Sequence, residues 1–130
     1  MIYTPKYFTI NEFRCPCCSR VRVAEALVFS LDIFRRIWAA PIIVNSGFRC
    51  PKHNQEVGGV DSSRHLIGCA ADVKPNDPAL FDIFKLEVEK MFKFLPNWEI
   101  IIYSDFIHIA VPRDEQFYIW DGSDIIIHYK

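Results

Sequence analysis

Ser63-Arg64-His65-Leu66-Ile67-Gly68-Cys69-Ala70-Ala71-Asp72 is the stretch from which both fold and chemistry are read. His65 offers a neutral imidazole and Asp72, seven positions on, a carboxylate, and both side chains are ordinary metal ligands. Between them Gly68, Ala70 and Ala71 are small enough for backbone to approach a buried site closely. A His and an Asp seven apart also arise by chance, and there is no His-Glu-x-x-His helix. A satisfied core histidine is the competing account of His65.

Downstream, Asp105-Phe106-Ile107-His108 brings a second imidazole and a second carboxylate, flanked by apolar residues that would keep a site partly dry. Two His and one Asp leave a fourth position open, the ligand count of catalytic rather than structural zinc sites. Upstream stand Ser46-Gly47-Phe48-Arg49, then Asn54 and Gly58-Gly59.

The whole pattern resembles the D-alanyl-D-alanine carboxypeptidase family, which shares its fold with the Hedgehog signalling domain and includes phage endolysins and vancomycin-resistance dipeptidases. The family signature, Ser-x-His followed by Gly-x-Ala-x-Asp, is matched by Ser63, His65, Gly68, Ala70 and Asp72. The Ser46–Arg49 block, Asn54, Gly58-Gly59 and the opening run Tyr7 to Phe13 also look like the small members, so the resemblance covers roughly residues 7 to 112. It implies an α+β, Hedgehog/DD-peptidase-like fold and one catalytic Zn2+ held by His65, Asp72 and His108. It further implies a peptidase that cuts peptide bonds of bacterial peptidoglycan, as a D-Ala-D-Ala carboxypeptidase or a cell-wall endopeptidase acting on the stem peptide. A non-catalytic zinc-containing binding module of the same fold is the alternative.

Carried over residue by residue, the resemblance makes Asp105 the general base toward water and then the acid toward the leaving amine, a task for which many relatives carry Glu. Strand alternation sets Asp105 and His108 on opposite faces, so Asp105 must occupy a turn or a bulge to take part; a plain turn aspartate is the competing account. Arg49 corresponds to an arginine that binds substrate and stabilises the developing oxyanion. Ser63 resembles a serine near the substrate, though a serine two residues before a ligand can equally hydrogen-bond its own backbone.

Around this centre the chain reads as one domain spanning residues 1–130, with 51% hydrophobic and 24% charged residues and 11 Phe. That is enough to bury a core without disulfides. Ala24, Leu27, Val28, Leu31, Phe34 and Trp38 predict an amphipathic helix over Ala24–Ala39, with Asp32, Arg35 and Arg36 on its wet side. Ile42 to Val44 predict a short buried strand, Pro51 to Val57 one helical turn, and Asp77-Pro78 the start of a helix that runs on through Leu95. Segments 99–103, 106–111, 116–120 and 124–129 predict strands of an antiparallel sheet, with turns at Ser104-Asp105 and Asp121-Gly122.

A net charge of -1 removes any whole-molecule electrostatic case for nucleic acid or an anionic membrane. No stretch is apolar enough for membrane insertion, and Met1 to Lys6 lacks the layout of a secretory signal. The expectation is therefore cytoplasmic synthesis, with delivery to the wall by host lysis or a holin, and a monomer. Five cysteines, three of them at Cys15, Cys17 and Cys18, argue against a complete disulfide framework. With Cys50 these thiols could form a zinc knuckle, but the adjacent pair Cys17-Cys18 lacks the spacing of zinc-knuckle pairs. Cys69 reads as a small buried residue, and His53 and His128 as surface histidines.

Overall fold

Leu27, Val28, Leu31 and Phe34 recur on one helix face, and they line α1, Glu25–Trp38, in the computed structural model, which describes residues 5–120 and 126–129. Ala39 closes α1 in the left-handed region and Pro41 follows it. One expectation for this helix is corrected. Asp32 is only 6% exposed, and its carboxylate accepts the backbone N–H groups of Lys6 (3.0 Å) and Tyr7 (2.7 Å). The periodicity put it toward water, but two otherwise unpaired amides of the N-terminal segment are the better partner.

The remaining elements are β1 (Arg22–Ala24), β2 (Ile42–Ser46), α2 (Pro51–Glu56), β3 (Ala70–Pro75), α3 (Phe81–Phe92), β4 (Glu99–Ile102), β5 (Ile107–Ala110), β6 (Phe117–Trp120) and β7 (Ile126–Tyr129). A short 3-10 turn, Pro78–Leu80, leads into α3, with the Asp77 carboxylate accepting the Ala79 N–H at 3.0 Å. The expected helix over this region therefore starts one turn later and stops at Phe92, short of Leu95.

Antiparallel pairs build one sheet in the order β2-β3-β5-β4 and a second in the order β1-β6-β7. The class is α+β, as the sequence implies, but the four predicted C-terminal strands divide between the two sheets. The central strand β3 was not predicted at all. Its residues, Ala-Ala-Asp-Val-Lys-Pro, have weak intrinsic strand preference, and their place between β2 and β5 makes the strand. The Asp121-Gly122 turn lies outside the described residues.

Alternation along β3 and β5 separates two jobs. Ala71, Val73, Ile107 and Ile109 are fully buried in the core that also holds Leu31, Phe34, Phe84 and Phe92 of the helices. Phe34 and Phe84 meet edge to face at 5.5 Å. Each such side chain contributes about 1.5–3 kcal/mol by leaving water. The opposite face carries Asp72 and His108, which are cross-strand partners in register, with Ser46 of β2 beside Asp72 and Ile101 of β4 beside His108. No helix among the described residues is long and apolar enough to cross a membrane.

Candidate metal centre

His65 comes to this face from a 3-10 turn, Arg64–Ile67, that precedes β3. Ser63 begins the turn, its hydroxyl accepting the His65 N–H at 3.2 Å, and Gly68 ends it at φ 77. A Cβ at Gly68 would lie 2.2 Å from the Arg22 carbonyl oxygen, so only glycine lets this turn seat against β1. The small residues of the signature thus serve backbone packing, and the ligands are set by the turn and the strand.

His65 Nε2 and His108 Nδ1 both stand 3.1 Å from Asp72 Oδ1. The three groups are all buried, and their ligand atoms lie within 4.8 Å of one another. The other nitrogen of each ring is held as well: His65 Nδ1 meets the Gly47 carbonyl oxygen at 2.7 Å and His108 Nε2 meets Glu99 Oε1 at 2.6 Å. A carbonyl can only accept, so the His65 proton sits on Nδ1 and Nε2 turns its lone pair toward Asp72. His108 lies between two carboxylates and, as a neutral ring, can donate to only one. A cation among Nε2, Nδ1 and Oδ1 resolves both conflicts, and the outer carbonyl and carboxylate are the partners that orient ligating imidazoles. The donor set, two nitrogens and one oxygen, fits zinc.

Burial alone would raise the Asp72 pKa, but the two imidazoles against it, His108 and His65, hold its carboxyl well below the usual carboxylate range. Arg49 adds to this polar wall. Its Nη2 lies 3.1 Å from Asp72 Oδ2, Nε donates to Ser46 Oγ at 3.0 Å and Nη1 to Asn54 Oδ1 at 3.3 Å. Asn54, 4% exposed, is fixed in turn by donating to the Val60 carbonyl at 2.9 Å. A Cβ at Gly59 would come within 2.0 Å of Asn54 Oδ1, so this glycine leaves room for the amide that aims Arg49. His65, Asp72, His108, Arg49 and Ser63 all line one cavity of about 450 Å³.

Asp105 is not brought to this cavity. It lies in the turn between β4 and β5, closed by the Tyr103 N–H to Phe106 carbonyl bond at 3.0 Å, and borders a neighbouring cavity of about 380 Å³ with Ile43, Lys74 and Phe81. The carboxylate that lines the first cavity is Glu99. Sequence reasoning missed it, although the expected turn at Ser104-Asp105 contained the signal. That turn pairs Ile101 with His108 and Glu99 with Ala110, which puts Glu99 on the face of His108 and Asp105 off it.

His53 sits in α2, with Nδ1 4.0 Å from Glu56, apart from the cluster. The His128 side chain lies outside the described residues. Cys69 is buried with its sulfur 3.1 Å from the Tyr118 hydroxyl, whose pKa is raised by burial and by that contact.

In comparison with known proteins, the Peptidase M15 family model matches residues 6–110. No curated protein matches the chain.

Proposed function

From a chain that belongs to the Peptidase M15 family, zinc peptidases of the D-Ala-D-Ala carboxypeptidase type, we propose hydrolysis of a peptide bond in the stem peptide of bacterial peptidoglycan. The observation that carries this reading is the convergence of His65, Asp72 and His108 on the floor of a cavity walled by Arg49. His65, Asp72 and His108 would hold the zinc, which when bound polarises a carbonyl and brings the pKa of water to about 7.

The chain's own residues supply orientation and charge. Gly47 and Glu99 hold the outer nitrogens of the imidazoles, so that each ring keeps one nitrogen for the metal. Arg49, fixed by Ser46 and Asn54, offers a preset guanidinium to a substrate carboxylate or to the oxyanion of the attacked carbonyl. Ser63, its hydroxyl oxygen accepting the His65 N–H, stands at the cavity wall and keeps its own O–H to donate to substrate. The acid–base step needs a carboxylate. We assign it to Glu99, which the cavity contains, against Asp105, which the family pattern indicates but which borders the neighbouring cavity.

Mass spectrometry of muropeptides after incubation with the zinc-loaded chain tests this reading. Loss of terminal D-Ala marks a carboxypeptidase and cleaved stems or cross-bridges mark an endopeptidase, and either must vanish with His65→Ala. Unaltered muropeptides in the presence of zinc would overturn it. Comparing Glu99→Gln with Asp105→Asn at equal zinc content assigns the acid–base carboxylate.

A further inference from the structure

A second group of ligands lies outside the cavity. The sulfur atoms of Cys15, Cys18 and Cys50 lie within 4.8 Å of one another, with Cys15 buried and the other two partly so. Cys17, exposed and next in the chain to Cys18, lies beside Cys50 but outside this threesome. All four are free thiols. Cys15-Pro16-Cys17-Cys18 holds a Cys-x2-Cys pair, Cys15 and Cys18, at the spacing of structural zinc sites. Reading Cys17-Cys18 as the relevant pair hides it.

The backbone around these sulfurs is arranged to receive thiolates. Residues 15–20 fold on themselves, with the Cys15 N–H donating to Arg20 O at 2.8 Å and the Ser19 N–H to Cys15 O at 2.9 Å, Ser19 being left-handed at φ 62. The Cys50 N–H points at Cys15 Sγ and the His53 N–H at Cys50 Sγ, each at 3.5 Å.

We propose that Cys15, Cys17, Cys18 and Cys50 form a closed tetrathiolate zinc site that pins the N-terminal segment to the loop carrying Gly47 and Arg49. Four thiolates satisfy a tetrahedral zinc ion and leave no position for water, so this site is structural. Four S–H bonds are exchanged for four Zn–S bonds and the protons pass to solvent. Its location gives it a purpose. The Phe13 carbonyl of the same segment already accepts the Phe48 N–H at 2.9 Å, and Cys50 directly follows Arg49. The staple therefore braces the loop whose carbonyl orients His65 and whose arginine faces the cavity.

The test uses the full chain carrying His65→Ala and His108→Ala, which leaves the thiol site as the strong metal site. On titration with Co2+ under reducing conditions, a thiolate-to-cobalt charge-transfer band is expected to saturate at one equivalent. The band should be lost on further change of Cys50→Ser or Cys17→Ser. Because these variants could unfold, the zinc K-edge absorption spectrum of the zinc-loaded double variant provides a second measurement, with sulfur neighbours at about 2.3 Å expected. Absence of the band together with a zinc shell of only nitrogen and oxygen would overturn the proposal. A disulfide among the four cysteines that persists in protein purified with zinc and reductant would overturn it equally.

Discussion

His65, Asp72 and His108 meet because two neighbouring strands in register and one preceding turn aim them at a single point, and the point opens on a cavity. Cys15, Cys18 and Cys50 meet because a tight turn folds back on a loop more than thirty residues away, and none of the three lines that cavity. The first group offers three nitrogen and oxygen donors, one fewer than a tetrahedral ion takes, and the second offers sulfur donors. The difference teaches what each can do. A set that leaves a coordination position for water can catalyse, whereas a filled one can only hold structure.

Breaking the first cluster should produce the largest effect. His65→Ala is expected to abolish peptide hydrolysis and to remove one of two zinc ions, measured as metal content beside turnover, while the thiol site keeps its ion. Next, Arg49→Ala should lower kcat/KM by about 10²–10³ with zinc content unchanged, as for loss of one oxyanion donor. Metal loss in that variant would show Arg49 to be a support of Asp72 instead.

The comparison is sharpened by residues one step out. Glu99→Gln removes the carboxylate that orients His108 and that is assigned the acid–base step, so it should weaken zinc binding at the histidine site by about 10–100-fold in competition with a chelator and lower turnover further at equal zinc content, with the thiol site unaffected. The smallest expected effect on turnover is that of Cys50→Ser. It should lower thermal stability, by about 4 kcal/mol at zinc 1,000-fold above its dissociation constant, and reduce hydrolysis less than Arg49→Ala does. Equal loss of activity in the two variants would mean that the staple and the arginine act as one unit.

Much of the chemistry was legible from local pattern. The signature around His65 and Asp72, Arg49 with Asn54, and the helix periodicity of α1 are short-range features, and physical chemistry acts on them within a few residues. Asp32 and β3 were not legible. The carboxylate of Asp32 found its partners 25 and 26 residues away, and β3 owes its existence to flanking strands rather than to its own residues. That Glu99 and not Asp105 lines the cavity of His108 has a related reason, because the face a side chain takes depends on the register of a hairpin and not on distance along the chain.

By itself, then, the sequence determined the donor atoms: two imidazoles and a carboxylate in one set, four thiols in another. Only the tertiary structure decided that the first set and three of the four thiols converge, which nitrogen of each ring faces inward, and which acid stands beside the cavity. Ligand identity is a property of a residue, while convergence requires strand register and loop closure, which arise only when distant segments bury a common core.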